Sequence, residues 1–172
     1  MDFCDKRQMN SLNNKLSTEI SEEQESADLC IICEGDADQV ILSKLVKRLL
    51  AENSLKYDVR ILTAYGKLVI PRIVRAAERH LHSKALAVVI NSNGNPSKVL
   101  KDLRTELDLD KYWVIIAKPN VESWVTNGRS KEIDSLEQFV KLAGKADLEQ
   151  IENAHPEFHT LKQAVTNIHL PQ

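Results

Sequence analysis

Residues 29–38 read LCIICEGDAD, and a change of pattern inside this stretch decides the fold. Leu29, Cys30, Ile31, Ile32 and Cys33 are apolar without interruption. A short run with no polar alternation predicts a strand buried on both faces, the kind found in parallel sheets. Glu34-Gly35 ends it. From Asp36 onward the period changes, and Val40, Ile41, Leu45, Val46, Leu49 and Leu50 fall on one face of a helix over residues 36–50. A buried strand followed at once by an amphipathic helix is the first half of a βαβ unit.

The alternation repeats along the chain. Val59–Thr63 predicts a second strand, ended near Gly66, and residues 68–81 a helix. Ala85–Ile90 (ALAVVI) predicts a third strand, fully buried, and Asn91–Asn95 a polar turn. Pro96 and Ser97 then open a helix running to about Leu107, since proline is well placed in a first helical turn. Trp113–Ala117 predicts a fourth strand, stopped by Pro119. Beyond it the pattern is helical, with Leu136, Phe139, Val140 and Ala143 on one face and Leu161, Val165 and Ile168 on another. These readings predict an α/β, Rossmann-like fold: a mainly parallel sheet of about four strands flanked by helices, with a helical C-terminal extension. Residues 1–27, rich in Ser, Asn, Gln and Glu, predict a flexible polar tail with one short helix around Ser21–Ser26. The sheet domain is expected over 28–128 and the extension over 129–172.

The bulk numbers narrow the function. A chain of 172 residues, 42% of them hydrophobic, suits one domain with one core. No apolar run approaches the roughly 18 residues of a membrane span. The opening MDFCDKRQMNSLNN lacks the apolar core of a signal peptide, so a soluble, cytoplasmic protein is expected. A net charge of −2 gives no whole-chain case for nucleic acid, which would need a local basic face or a bridging metal. Three cysteines cannot all pair and suit a reducing compartment. Cys30 and Cys33 form a CxxC, but positions three apart on a strand face opposite ways, so they share neither a bond nor a metal.

The polar residues of interest all follow strands, where open α/β sheets collect their ligands. Glu34 follows the first, with Asp38 four residues on. Asn91-Ser92-Asn93-Gly94 follows the third, and Lys118-Pro119, with Glu122 just beyond, the fourth. Taken in order, ICEGDAD, TAYGK and a hydrophobic strand running into NSNGN resemble the Toprim domain of topoisomerases, primases and small nucleases. KPNVESWV is similar to the P-x-x-E-x-W-hydrophobic stretch of compact Toprim-like families related to the overcoming-lysogenization-defect nucleases. The resemblance covers residues 28–125.

It implies a metal-dependent nuclease acting on DNA or RNA phosphodiesters, with magnesium (or manganese) as cofactor. In such enzymes a cation offsets charge on the attacking and leaving oxygens, and magnesium prefers hard oxygen ligands. By resemblance Glu34 matches the metal-binding Glu, while Asn91 and Asn93 stand where the family's D-x-D has Asp. Asp38 and Glu122 match further ligands, and Lys67 matches the family's G-K. Asn offers a neutral carbonyl oxygen in place of a charge and accepts no proton, so the resemblance implies an impaired enzyme. A deliberately inactivated nuclease, a natural non-catalytic relative and slow deamidation at Asn93-Gly94 all fit this pattern. The residues carry no ATPase, helicase or primase module. A protein partner or homo-oligomer is therefore expected, as for small effectors of phage-defence and toxin systems.

Each of these residues has a structural alternative. Glu34 and Asp38 suit a helix N-terminus, Asn91, Asn93 and Gly94 an ordinary turn, and Glu122 a solvated position beside a buried Trp124. Arg72, Arg75 and Arg79 share one helix face, solvated or set against phosphates together with Lys67 and Lys118. The histidines form no metal set. The competing function is a non-catalytic, degenerate Toprim module binding nucleic acid or a protein. A small-nucleotide domain is disfavoured, because no Gly-rich phosphate loop is present.

Overall fold

Each apolar run becomes a strand: β1 Leu29–Cys33, β2 Val59–Thr63, β3 Ala85–Asn91 and β4 Trp113–Ala117. The computed structural model describes residues 26–168. Residues 1–25, and with them nearly all of the expected tail and its short helix, lie outside the described residues.

The four strands pair in the order β2-β1-β3-β4, every neighbour parallel. The sheet therefore grows from β1 in both directions, and the order reverses between β1 and β3. In doubly wound sheets the crevice at the carboxyl ends of such a pair is the usual place for a ligand. The register sets Ile32 beside Val88, so the ends of β1 and β3 are adjacent.

Helices cover both faces. Alternate strand residues split between two cores: Leu29, Ile31, Cys33, Ala87, Val89 and Ile115 face one way, and Cys30, Ile32, Leu86, Val88 and Ile90 the other. Cys30 and Cys33 are thus buried on opposite faces as free thiols, and desolvation pushes them up to about 11 and about 12. The second face is closed by α2 (Ile70–His80) and α3 (Pro96–Glu106) through Val74, Ala77, Val99 and Leu103. The first is closed by α1 (Asp36–Glu52), which buries Ile41, Leu42, Leu45, Val46 and Leu49.

Alongside α1 lie α4 (Glu122–Thr126), α5 (Leu136–Lys145), α6 (Leu148–Ala154) and α7 (Glu157–Thr166). Phe139, Ala143, Ile151, Phe158, Leu161 and Val165 of these helices belong to the same core as β1 and β3. Phe158 meets Trp124 edge to face at 5.4 Å and 77°. The helical segment after residue 128 thus packs directly against the sheet domain. Arg48 strengthens the join, donating to the carbonyls of Ala143 (2.8 Å) and Ala146 (2.6 Å) at the end of α5.

The first helix runs on to Glu52 and β3 takes in Asn91, expected in the turn, and the boundary before the second helix differs most. A helix was expected from residue 68, but a 3-10 turn over Lys67–Val69 comes first and α2 starts at Ile70. Pro71 explains the start, because its fixed φ and missing N–H suit a first helical turn and nothing further in. Gly66, at φ 138° and ψ 146°, adopts a backbone closed to other residues and turns the chain away from β2.

Candidate site at the carboxyl edge of the sheet

The edge is organised around Asn91, the last residue of β3. All four of its polar groups are engaged. Its N–H donates to Glu34 Oε1 at 2.5 Å, which ties β3 to the end of β1. Its Nδ2 donates to Asp38 Oδ2 at 3.1 Å, in the first turn of α1. Its Oδ1 accepts from the Val121 N–H at 2.9 Å, just before α4. Its carbonyl accepts from Lys67 Nζ at 2.6 Å. One amide side chain thereby joins three elements, and Lys67 adds a fourth from the far side of β1.

The amide orientation follows from its partners. A backbone N–H can only donate, so Oδ1 must face Val121 and Nδ2 must face Asp38. Asn91 therefore presents a hydrogen-bond donor, not an oxygen, to the Asp38 carboxylate.

Asp38 is 4% exposed, a buried acid at the head of a helix. Burial, reinforced by the negative charges of Glu34 and Glu122, pushes its carboxyl up to about 6. The Asn91 amide and a backbone hydrogen bond from Glu34 act against that shift. Glu34 and Glu122 therefore both stand within electrostatic reach of Asp38, whose carboxylate meets the neutral Asn91 amide. Among the described residues, no three His, Cys, Asp or Glu side chains are gathered as a metal-binding group.

Asn93 is placed differently. It is exposed, at φ 47°, with Gly94 following at φ 88°. Its N–H donates to the Pro119 carbonyl at 3.0 Å, which closes the turn against the β4 loop. The residue holds a left-handed conformation that Asn tolerates better than most. Between the two, Ser92 is buried, its Oγ donating to the same Pro119 carbonyl at 3.3 Å. Asn95 caps α3, accepting from the Lys98 N–H at 3.1 Å.

The other candidates scatter. Glu122 opens α4, half-buried and near Asp38. Lys118 is exposed, and its N–H donates to Glu157 Oε1 at 2.9 Å. That carboxylate also accepts from Trp124 Nε1 at 3.2 Å, so α7 holds the Lys118–Pro119 turn, whose peptide bond is cis. Arg72, Arg75 and Arg79 are exposed along α2, but Arg75 is held by Glu106, through its carbonyl at 2.8 Å and its Oε2 at 2.9 Å. Arg72 lies in the first turn of α2, near the edge, whereas Arg79 lies roughly 10 Å further along it.

Three participants had no sequence signal. The Val121 N–H and the Pro119 carbonyl are backbone groups, and Glu157 is distant in the chain. Tyr65 had a partial signal, an aromatic next to glycine in TAYGK.

No curated protein matches this chain. Residues 27–105 match the family model described as overcoming lysogenization defect protein-like, TOPRIM domain; that segment, which carries β1, β2 and β3 with their flanking helices, is similar to this family.

Proposed function

We propose that this chain is a Toprim nuclease-type module that engages DNA or RNA at the carboxyl edge of its sheet and is disabled for phosphodiester cleavage by the two asparagines. The family acts on nucleic acid, and Toprim domains generally bind magnesium. The observation that carries the reading is the Asn91 amide. Its oxygen is committed to Val121 and its nitrogen to Asp38, so the position supplies a donor where a cation would need a ligand. A divalent ion at this point would lie beside an N–H dipole of the wrong sign, with Lys67 already hydrogen-bonded to the Asn91 carbonyl. The donor set as arranged does not fit magnesium. The amide instead joins the strands itself, by hydrogen bonds that an Asp at 91 would replace with two carboxylates side by side.

Nothing in this arrangement generates a nucleophile at the edge. Asn91 accepts no proton, and Asp38 is buried and already hydrogen-bonded. What remains is binding, through Lys67, Arg72 and the surfaces around them.

The test compares the natural chain with the N91D/N93D double variant, with and without magnesium. The readouts are thermal melting and cleavage of single- and double-stranded DNA and RNA. The natural chain is expected to show neither magnesium stabilisation nor cleavage. The double variant is expected to melt lower without the ion, because like charges crowd one site, and to recover with it. Cleavage by the natural chain would overturn the disabled site. A double variant with neither response would leave a binding module without nuclease chemistry.

A further inference from the structure

Helices α1 and α5 lie side by side and run in the same sense. Val40 and Val140 line one shallow groove between them, and Arg48 holds the Ala143 and Ala146 carbonyls further down. Between these points the Lys44 stem passes close over Gly144, where a Cβ would meet its Cε at 3.1 Å. The outer face of the pair carries an apolar stripe. Leu136 and Val140, one helical turn apart, are 44% and 36% exposed, and Val40 is half-buried beside them. Lys44 and Lys47 stand at the lower end of the groove, away from the carboxyl edge of the sheet. Among the described residues no carboxylate is paired with either lysine.

The sequence ahead of the sheet holds a segment with matching chemistry. Met9, Leu12, Leu16 and Ile20 recur at the i, i+3, i+7 and i+11 positions of one helical face, in a stretch without Gly or Pro. Glu19 and Glu23, four apart, flank that face at the end nearer the fold. A helix of about 15 residues is marginal in water by itself, so such a pattern needs an apolar surface to rest on.

The point of attachment fixes which surface and which direction. The chain enters β1 at the edge where α1 ends, for the Leu29 N–H donates to the Asp58 carbonyl at 3.1 Å in the loop that follows α1. Lys47 lies roughly 8 Å along α1 from that end, and about three extended residues span roughly 10 Å. A helix leading into β1 from this side has to run against α1. Glu23 and Glu19 then come level with Lys47 and Lys44, Leu16 with Val40 and Val140, and Leu12 with Leu136. So short a tether also holds the segment at about millimolar effective concentration, which favours it over the same segment of a second copy.

We propose that residues 9–23 form an amphipathic helix that docks on α1 and α5 of the same chain, covering Val40, Leu136 and Val140 and pairing Glu19 and Glu23 with Lys44 and Lys47. The inference is independent of the nucleic-acid reading above.

The experiment is amide hydrogen exchange on the full chain, read by mass spectrometry. Residues 9–23 of the natural chain are expected to exchange about tenfold or more slowly than an unstructured peptide of the same sequence. The double variant Lys44→Glu/Lys47→Glu is expected to speed that exchange about fivefold, since two attractions become repulsions. Adding Glu19→Lys/Glu23→Lys is expected to restore the protection, and Leu16→Asp to abolish it. The amides of β1 and β3 report in each variant that the fold is intact. Exchange at the unstructured rate in the natural chain would overturn the proposal. Protection unchanged by the lysine reversal would overturn it too, by placing the segment elsewhere. Protection that is lost on dilution, with self-association seen by sedimentation, would make the occupant a second copy and overturn it as well.

Discussion

Two parts of the carboxyl edge lie side by side and are built on opposite terms. At the ends of β1 and β3, polar groups are sunk inward and fully paired, with Asn91 bonded through every polar atom and Asp38 buried beneath it. At the end of β2, apolar groups are turned outward and left uncovered, with Tyr65 and Leu68 exposed on a strained loop. The first region has its polar groups where cores exclude them, and the second its apolar groups where water surrounds them. Both invert the usual sorting, and such inversions mark places where a fold serves something other than its own stability. The difference between them is depth: the first is closed by hydrogen bonds on every side, whereas the second is held at its base, by the Gly66 N–H and Lys67 Nζ, and leaves Tyr65 and Leu68 uncovered.

The largest expected effect comes from breaking the inner region. Asn91→Leu leaves the Asp38 carboxylate and the Val121 N–H without their partners. Unpaired buried groups of this kind cost about 1–3 kcal/mol each, so the variant should lose about 2–4 kcal/mol in denaturant titration. Its Tm should fall by about 10 °C. A loss below about 1 kcal/mol would show that water replaces the amide freely and that the network is not tight.

Next comes the acid itself. Asp38 rises from 3.8 to about 6 on folding, with burial the first cause. The folded state therefore binds the proton more tightly than the unfolded state. Stability from this group is fully present below about pH 4 and is lost as the pH rises through about 6. The native chain should thus gain about 2 kcal/mol from this group as the pH falls from 7.5 to 4.5, set against the usual losses at other carboxylates. Asp38→Asn should flatten that window, which urea titrations at several pH values would read directly.

Lys67 links the two regions and is expected to matter less. Lys67→Met removes one charged hydrogen bond to the Asn91 carbonyl at a half-buried position, for a loss of about 0.5–1.5 kcal/mol. Smallest of all is Asn93→Gly. Its φ of 47° suits glycine, and its hydrogen bond to the Pro119 carbonyl is made by the backbone, so stability should stay within about 0.5 kcal/mol. The contrast between Asn91 and Asn93, the same residue two positions apart, is the sharpest form of the comparison. Equal losses at both would remove it.

Much of the fold was legible because periodicity reports burial. The strands at 29–33 and 113–117 were readable to the residue, since an unbroken apolar run has one low-energy use in a sheet covered on both sides, and 59–63 (VRILT) was readable despite Arg60 at the half-buried edge of the sheet. The helices at 36–52 and 96–106 were readable within two residues from their apolar faces and, for the second, from Pro96. The candidate site was legible as a set of strand-end residues, because parallel strands bring their carboxyl ends to one edge. That set could not rank Asn91 against Asn93. Both are polar residues in the same turn, and only their different depths separate them.

By itself, then, the sequence determined the elements, the parallel arrangement and the edge where chemistry would gather, all of which follow from local pattern and chain connectivity. The tertiary structure alone decided which way the Asn91 amide points, because that depends on a backbone N–H thirty residues later in the chain. It also decided that the helices after residue 128 share the first core and that Glu157 holds the cis turn at Pro119. These are contacts between distant segments, whose energies exist only once the chain has closed around them, and no local pattern of residues encodes a partner that far away.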